Sequence, residues 1–279
     1  MQISVILTTS PKREDNLRYC LELLRRQSHP PAQVIVVDDG SEQGEQITSH
    51  YRSHFNLSYL WRPNDCCVAR SRNLGVAQAL YPWLVFLDSD MLLNPAGLES
   101  YADYLEYAPN QALYGYFGYA LAYQTSSYFE ASRQVLWCDK RFEQYTPEGL
   151  KPAGNMILYP HEWAWSGNFA LSKNLYEQAG GFDEDYRGWG GEDLDFASRL
   201  IQIAQIHFFV DAWAEQQVHQ RDELFHTLSE DLRPKTYQSH YDPADYQVQV
   251  IYSQAGWQSL KQAIASHYMK QIKTEQELL

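Results

Sequence analysis

The stretch Trp83-Leu-Val-Phe-Leu-Asp88-Ser-Asp90 decides the fold class. Its five consecutive apolar residues, rich in large side chains, predict a strand buried on both faces of a parallel sheet. The strand ends in two carboxylates separated by Ser89. In open α/β sheets, ligands bind at the carboxyl ends of the strands, and a D-x-D pair there offers hard oxygen ligands to a divalent cation that bridges to a phosphate. The alternative is a loop with two solvated acids.

The first hundred residues alternate between strand and helix patterns. Apolar residues at helical spacing, such as Leu17, Leu21 and Leu24, indicate the first helix. Elements in this order predict an α/β fold, with a mostly parallel sheet, right-handed crossovers and flanking helices. The predicted strands are Ile3–Thr8, Gln33–Asp38 and Leu57–Trp61, and the predicted helices are Asn16–Gln27, a polar helix after Asp39, and Ala69–Leu80.

Polar residues follow three of these predicted strands, at the point where each strand ends. Because parallel strands end at the same edge of a sheet, we expect these side chains to converge on one ligand site. Asp38 or Asp39 can accept hydrogen bonds from a nucleobase or a ribose. Arg70 or Arg72 can meet phosphate oxygens with a planar fork of donors. The alternative for each acid is a turn residue or a helix cap. The converging residues are Thr8, Thr9, Asp38, Asp39, Asp88, Ser89 and Asp90.

The composition excludes several classes of function. The chain has 279 residues and a net charge of -13, which argues against a nucleic-acid partner because its phosphates would be repelled. The 4 cysteines have no CxxC spacing, so we expect no disulfide framework. The sequence opens directly into a strand, without a signal-peptide pattern, and no apolar run approaches the roughly 18 to 20 residues that span a bilayer. We therefore expect a soluble, cytoplasmic protein, with peripheral membrane association as an alternative.

Aromatic residues crowd the stretch 101–159, which contains a predicted strand at Ala112–Leu121. Some of these rings belong to the core, and the others could line an acceptor groove, since sugar faces stack on aromatic rings. From about Tyr246 to the end, the pattern predicts a strand and then an amphipathic helix. The crowded rings include Tyr114, Tyr116, Phe117, Tyr119, Tyr123, Tyr128, Phe129 and Trp137, and the helix carries Trp257, Leu260, Ile264 and Tyr268.

A second informative segment runs from Trp165 to Asp195 and contains Gly188-Trp-Gly-Gly191. Glycines around a tryptophan predict a turn in which the backbone can approach a ligand closely. Glu192 and Asp193 then begin a predicted helix, and acids in a first helical turn are favoured by the helix dipole. The dipole alone explains the acids but leaves the glycine turn unexplained. The residues of this helix that we expect to face the core are Phe196, Leu200 and Ile203.

Taken together and in order, these motifs resemble the GT-A glycosyltransferases of family 2. The half from 101 to 220 resembles the galactosyltransferase and polypeptide N-acetylgalactosaminyltransferase module. The resemblance covers residues 1–220, with a nucleotide-sugar-binding half (1–100) and an acceptor-binding half (101–220), and leaves 221–279 as a C-terminal extension. The segments that carry it are Val34-Ile-Val-Val-Asp-Asp-Gly-Ser41, Ala69-Arg-Ser-Arg-Asn-Leu-Gly75, Leu87-Asp-Ser-Asp90, Ser166-Gly-Asn-Phe169 and Gly188-Trp-Gly-Gly-Glu-Asp193.

The resemblance implies a UDP-sugar donor bound at the strand ends. It places Thr8 and Asp39 near the nucleobase and the ribose. It places Asp88 and Asp90 around Mn²⁺ (or Mg²⁺) and the diphosphate, where the cation acts as a Lewis acid on the leaving group.

The resemblance also assigns roles in the second half of the chain. Asp193 is implied as the catalytic base, and a carboxylate of ordinary pKa suffices because the acceptor hydroxyl acidifies as it reacts. Glu192 and Trp189 are implied near the acceptor, in a loop that closes over the donor. A histidine after the helix is implied as a further metal ligand. His219 fits that position, with His226 in reserve.

One segment departs from the family pattern. It reads Ala69-Arg-Ser-Arg-Asn73, where family 2 commonly has Ala-Arg-Asn. Arg70 and Arg72 therefore both remain candidates for contact with the diphosphate.

The resulting hypothesis is a metal-dependent, inverting transfer of a hexose or N-acetylhexosamine from a UDP-sugar to a hydroxyl of a saccharide or another acceptor. A retaining glycosyltransferase is one alternative, because the Gly-Gly-Glu-Asp module also occurs in retaining enzymes. A nucleotidyltransferase that makes nucleotide sugars is another, but it normally has a glycine-rich loop after the first strand, and residues 8–13 contain no glycine. A non-catalytic sugar-binding module would have no need for both the Asp88/Asp90 pair and the Glu192/Asp193 pair.

Overall fold

The computed structural model describes residues 1–119, 143–146, 149–152, 164–188, 190–217 and 249–266. The strands in chain order are β1 (Ile3–Thr9), β2 (Gln33–Asp38), β3 (Leu57–Trp61), β4 (Trp83–Asp88), β5 (Met91–Leu93), β6 (Gln111–Tyr119), β7 (Glu143–Thr146), β8 (Gly149–Pro152), β9 (Asn168–Ser172), β10 (Gln205–Gln216) and β11 (Gln249–Ile251). The helices are α1 (Glu14–Arg25), α2 (Gly44–Ser49), α3 (Val68–Gln78), α4 (Gly97–Tyr107), α5 (Lys173–Gln178), α6 (Glu192–Leu200) and α7 (Gln254–Ser266).

All described strands except the β7–β8 hairpin form one sheet, in the order β11-β10-β6-β9-β4-β1-β2-β3, with β5 paired to β10. Strands β4, β1, β2 and β3 run parallel to one another, and so do β6, β10 and β11. Strand β9 runs antiparallel between β4 and β6, and β5 runs antiparallel to β10. The predicted mostly parallel α/β sheet is therefore confirmed.

Two hydrophobic clusters cover the two faces of the sheet. Strand β4 shows why its sequence is continuously apolar, because Leu84 and Phe86 pack into one cluster and Val85 and Leu87 into the other. A strand buried on both faces has no position for a polar side chain until it ends. The helices contribute residues such as Leu17, Ile47 and Leu98 of α1, α2 and α4 to one cluster, and Val76, Leu175, Phe196 and Trp257 of α3, α5, α6 and α7 to the other.

The predicted elements of the first hundred residues are all present, with ends that differ by up to two residues. Among the elements that begin within residues 1–100, two were not predicted, the three-residue strand β5 and helix α4. Strand β5 follows the D-S-D segment after a turn and is too short to show a period. The side chains of Tyr114, Tyr116 and Phe117 are buried, which agrees with the prediction that some rings of the aromatic stretch belong to the core. The aromatic residues from Tyr123 to Trp137 lie outside the described residues.

The expectation that Ile203 faces the core is wrong. Helix α6 ends at Leu200, and Ile203 lies in the following turn with 43% of its surface exposed. Phe196 and Leu200, which are within the helix, are buried as predicted. A helical period continued past the true end of a helix assigns a turn residue to the wrong side.

The predicted C-terminal strand and helix are present as β11 and α7. Strand β11 extends the main sheet beside β10, and Trp257 and Leu260 of α7 pack into the core. Tyr268 lies outside the described residues, and the division of the chain at residue 220 stays a prediction. No described helix is long and apolar enough to cross a membrane.

Candidate active site

The carboxyl ends of β1, β2 and β4 meet at one edge of the sheet. In the register of these parallel strands, Thr8 pairs with Asp88 and Thr9 pairs with Asp38. The hydroxyl of Thr8 donates a hydrogen bond to Oδ1 of Asp88 at 2.8 Å. The three strand ends that the sequence pointed to therefore lie side by side.

The two acids that follow β2 have different surroundings. Asp38 is fully buried, and its carboxylate accepts hydrogen bonds from the Ser41 N–H (2.8 Å), the Ser41 hydroxyl and the Tyr59 hydroxyl (2.7 Å). These donors contact both oxygens of Asp38, so it holds the turn after β2, and its contact with a nucleotide stays a prediction. Asp39 is buried beside Arg62, whose Nη1 lies 2.5 Å from its Oδ1. Burial raises the pKa of Asp39 to about 7, against the opposing effect of Arg62.

The D-S-D loop (Asp88–Asp90) is held by backbone hydrogen bonds to three other segments. The Asp88 N–H donates to the carbonyl of Gly167 at 3.0 Å, and the Ser89 N–H donates to the carbonyl of Thr8 at 2.9 Å. The carbonyl of Asp90 accepts from the Gln217 N–H at 2.7 Å. Residues from β1, from the segment before β9 and from the end of β10 thus fix the loop.

The side chains of the D-S-D loop differ in exposure. Asp88 is 32% exposed, whereas Asp90 is 3% exposed and lies 3.2 Å from Nη1 of Arg13. Nε2 of Gln216 also donates to Oδ2 of Asp90 at 3.1 Å. Ser89 is buried, and its hydroxyl has no hydrogen-bond partner among the described residues. Asp88 is therefore the more accessible of the two acids.

Arg72 connects the D-S-D loop to the second acid pair. Its Nη2 lies 3.2 Å from Oδ1 of Asp88, and its Nη1 lies 3.0 Å from Oε1 of Glu192. The Arg72 guanidinium is 5.2 Å from the ring centroid of Phe182. Arg70, two residues earlier on α3, pairs instead with Asp65 and Glu184 on the surface. Of the two candidate arginines, only Arg72 contacts the carboxylates at the strand ends.

The glycine turn (Gly188–Gly191) has the backbone that its composition predicts. Gly188, Gly190 and Gly191 have φ values of 77°, 80° and 104°, in the region that favours glycine. A Cβ at Gly191 would lie 2.8 Å from the ring of Tyr186, so this position also excludes a side chain on steric grounds. Trp189 lies outside the described residues.

The acids that follow the glycine turn begin α6, as predicted. Glu192 is buried against Arg72. Asp193 is half-buried and accepts a hydrogen bond from the Leu194 N–H at 2.9 Å. Burial, and next the charge of Glu192, raise the pKa of Asp193 to about 7, so it departs from the ordinary value that the sequence led us to expect. Asp195 forms an ion pair with Arg199 within the helix, at 2.7 Å.

The donor set at the strand ends fits a hard divalent cation in its chemistry. Asp88 and Asp90 supply carboxylate oxygens, which Mg²⁺ and Mn²⁺ prefer. Oδ2 of Asp88 has no hydrogen bond among the described residues, whereas its Oδ1 accepts from Thr8 and Arg72. The described part of the chain holds no cluster of three or more potential metal ligands. His219 and His226 lie outside that part, so the predicted third ligand is not described.

The sequence alone did not indicate the two glutamines at the end of β10. Gln216 reaches the side chain of Asp90, and Nε2 of Gln217 donates to the carbonyl of Ser89 at 3.3 Å. The only available signal was that Gln217 stands two residues before His219.

Comparison with known proteins gives two family matches. Residues 4–164 match glycosyl transferase family 2, and residues 155–224 match the family described as the N-terminal domain of galactosyltransferase. These matches together contain every motif described above.

Named relatives include two polysaccharide synthases. The chain is 32% identical to chondroitin synthase from Escherichia coli over 202 residues, which are 61% of this chain and 28% of that protein. It is 28% identical to hyaluronan synthase from Pasteurella multocida over 234 residues, which are 75% of this chain and 24% of that protein. The chain thus spans about a quarter of the length of these relatives.

Among solved structures, the chain is similar to TarS from S. aureus crystallised with UDP-GlcNAc. The TM-score is 0.62 at 20% identity, and the match covers 81% of this chain and 61% of that chain. At this identity the similarity supports the fold.

Proposed function

The chain belongs to glycosyl transferase family 2, and from this premise we propose that it transfers a hexose or N-acetylhexosamine from a UDP-sugar to a hydroxyl of a saccharide or another acceptor, with a divalent cation and with inversion. One observation carries the proposal. Arg72 contacts both Asp88 and Glu192, so the D-S-D loop and the acids of α6 lie one side chain apart. A donor diphosphate and an acceptor hydroxyl brought to these two acid pairs would meet at one reaction centre.

For the donor, we propose that Thr8, Thr9 and Asp39 bind the nucleoside. We favour Asp39 over Asp38 because Asp38 is fully buried and already accepts three hydrogen bonds, whereas Asp39 is slightly exposed. The structural neighbour TarS was crystallised with UDP-GlcNAc, which supports a uracil nucleotide. Calorimetry with Mn²⁺ present should show UDP binding tighter than GDP by about tenfold, or 1.4 kcal/mol. Equal or reversed affinities would reject this donor.

For the cation, we propose Asp88, Asp90 and His219 as ligands of Mn²⁺ or Mg²⁺. When bound, the ion supplies positive charge that stabilises the leaving diphosphate. Among the described residues, Oδ2 of Asp88 accepts no hydrogen bond, and the N–H of Gln217, the last described residue before His219, donates to the carbonyl of Asp90. His219→Ala should raise the Mn²⁺ concentration needed for binding of UDP, and an unchanged titration would move the assignment to His226.

For the chemistry, we propose that Asp193 takes the proton of the acceptor hydroxyl. The acceptor oxygen forms a bond to the anomeric carbon on the face opposite the diphosphate, the bond from carbon to the diphosphate oxygen breaks, and the proton moves to the Asp193 carboxylate. A base with a pKa of about 7 is half ionised near neutral pH and accepts a proton more readily than an ordinary carboxylate. The glycine turn beside Asp193 gives the acceptor room to approach and excludes water when it closes over the donor.

The test is to incubate the protein with Mn²⁺, a panel of UDP-sugars and saccharide acceptors, and to measure UDP release and the anomeric configuration of the product by NMR. The proposal expects release that depends on an acceptor and a product inverted at the anomeric carbon. A retained configuration would reject inversion alone. Pyrophosphate release from UTP and a sugar 1-phosphate, without sugar transfer, would identify a nucleotidyltransferase instead. Binding without any turnover would leave a sugar-binding module.

A further inference from the structure

Arg72 has the environment of a buried connecting residue. It is 4% exposed, although it lies on helix α3, next to the more exposed Arg70 and Asn73. One branch of its guanidinium contacts Asp88, the other contacts Glu192, and the flat face lies over Phe182. The guanidinium of Arg72 thus contacts three different segments of the chain.

These contacts leave little of Arg72 for a ligand. An arginine that binds a diphosphate presents its fork of N–H donors to solvent or to the ligand. Here Nη1 donates to Glu192 at 3.0 Å and Nη2 donates to Asp88 at 3.2 Å. Each of these nitrogens carries a second N–H and Nε carries one more, but the side chain is only 5% exposed, so a diphosphate could reach them only if the surrounding segments moved.

We propose that Arg72 is a positioning residue, which fixes the donor-side carboxylate Asp88 and the acceptor-side carboxylate Glu192 relative to each other, and that it is not a ligand of the donor diphosphate. This inference rests on the proposed transfer reaction. The guanidinium suits the task because it is planar and holds two carboxylates at a fixed angle, whereas an ammonium is a single point of charge. We call this contact the Arg72 bridge.

Charge supports the Arg72 bridge. Glu192 and Asp193 are adjacent acids at the start of α6, and the charge of Glu192 raises the pKa of Asp193 while that of Arg72 lowers it. Without Arg72, the half-buried carboxylate of Asp88 and the buried carboxylate of Glu192 would lose a shared counter-charge. Arg72 therefore keeps Glu192 in place and limits the repulsion that Asp193 experiences.

The test begins with Arg72→Lys, which keeps the charge and removes the fork. A small misplacement of reacting groups can cost about 100-fold in rate, so we expect kcat to fall by about that factor. Binding of UDP, measured by calorimetry with excess chelator so that a displaced Asp88 and its cation do not contribute, should change by less than about threefold, because Arg72 does not touch the diphosphate. The matched control is Arg199→Lys. Arg199 also pairs with an acid, Asp195, and lies 5.7 Å from a phenyl ring, but it contacts neither acid pair of the site. Its rate should stay close to that of the wild type.

A double-mutant cycle sharpens the test. If Arg72 and Glu192 act through one contact, the loss of rate in the double variant Arg72→Lys/Glu192→Gln should be far smaller than the product of the two single losses. Glu192→Gln, which keeps the size of the side chain, also replaces Arg72→Lys should the latter fail to fold. It should show the same pattern of lowered kcat and normal UDP affinity.

Two results would overturn the Arg72 bridge. One is an affinity for UDP, measured with excess chelator, that falls by about tenfold or more in Arg72→Lys while the affinity for uridine stays unchanged, which identifies a diphosphate ligand. The other is independent, multiplying losses in the cycle. Wild-type protein that transfers no sugar at all would reject the proposed function instead. In that case the same cycle, measured as free energies of unfolding, decides whether Arg72 and Glu192 are coupled.

Discussion

The D-S-D loop and the glycine turn lie one arginine apart, but they are held in different ways. Backbone hydrogen bonds from Thr8, Gly167 and Gln217 fix the D-S-D loop on several sides. In the described part of the glycine turn, the Gly188 N–H donates to the carbonyl of Cys66, and a Cβ added at Gly190 would meet no atom within 4 Å. The D-S-D loop, which is the proposed donor side, is therefore a fixed platform, while the glycine turn, which is the proposed acceptor side, depends on backbone conformations that glycine adopts readily.

This difference suggests that the two parts of the site have different roles. A fixed platform suits the binding of a cation and a diphosphate, whose geometry is demanding. A glycine turn suits a segment that must admit an acceptor and then enclose the reaction. If so, substitutions on the acceptor side should lower the rate without affecting the binding of UDP, and substitutions on the donor side should lower the binding itself.

The largest effect is expected for Asp193→Asn. The amide keeps the shape but cannot accept the proton, and loss of a general base costs on the order of 100- to 10,000-fold in rate. UDP affinity should stay normal. Because burial disfavours the ionised Asp193, the variant should melt at the same or a slightly higher temperature at pH 8. The measurements are kcat, calorimetry with UDP and thermal melting.

Asp195→Asn is the control, since Asp195 pairs with Arg199 on the same helix. We expect a small loss of stability from the lost ion pair and a nearly normal rate. A collapsed rate in Asp195→Asn together with a normal rate in Asp193→Asn would mean that the base is misassigned. A loss of UDP affinity in Asp193→Asn would break the separation between the two sides.

Alanine substitutions in the glycine turn should separate backbone strain from crowding. Gly190→Ala places a left-handed backbone in open space and should cost about 1 to 2 kcal/mol. Gly191→Ala adds a contact of 2.8 Å with the ring of Tyr186 and should cost about 1 to 3 kcal/mol more. Urea unfolding measures both values. Equal costs would show that Tyr186 moves aside and that the turn is softer than its contacts suggest.

On the donor side, Asp88→Asn should weaken Mn²⁺ binding by about 10- to 100-fold, as loss of a ligand or its support commonly does. Excess chelator should stop turnover, and added Mn²⁺ should restore it. Ser89→Ala is the comparison and should lose far less, because the Ser89 side chain is buried. Full activity in chelator would sink the metal assignment, and unchanged Mn²⁺ binding in Asp88→Asn would remove Asp88 from it.

We expect kcat and UDP affinity to depend on pH through different groups, Asp193 for kcat and Asp39 for UDP affinity. The pKa of Asp193, raised to about 7, predicts that kcat falls about tenfold per pH unit below that value, because the base is then protonated. The folded protein holds this proton more tightly than the unfolded chain, so the contribution of Asp193 to stability falls as pH rises from about 4 to about 7. Asp39 has a similarly raised pKa and should affect UDP affinity instead of kcat. An acid limb that survives in Asp193→Asn would assign the limb to another group.

Much of the donor platform was predictable from the sequence, because its signals are local. An apolar run that ends in Asp88-Ser-Asp90 places the acids at a strand end, and neighbouring strand ends follow from the alternation of strands and helices. The glycine turn was predictable for the same reason, since positive φ values depend on residue type at the position itself.

The contacts that tie these parts together were not predictable in the same way. Arg72 meets Glu192 across 120 positions of the chain, and Gln217 meets Ser89 across 128. Such pairs depend on how the strands are ordered in the sheet, which a local pattern does not encode. The hydrogen bond from Tyr59 to Asp38 was equally unpredictable, because Tyr59 lies on β3, the next strand in the sheet.

Strand β9 runs antiparallel to β4, and its first residue, Asn168, pairs with Leu87 at the end of β4. Strand β9 also runs antiparallel to β6, so the chain leaves the main sheet after Tyr119, at the end of β6, and re-enters it at Asn168 on a neighbouring strand. A segment whose two ends lie on neighbouring strands, as residues 120–167 do here, can change in length or content without moving those strands. Evolution can therefore exchange parts of this segment to suit new acceptors while the proposed nucleotide site at the strand ends stays intact. A chimera that swaps residues 120–163 with those of a relative would exploit this modularity.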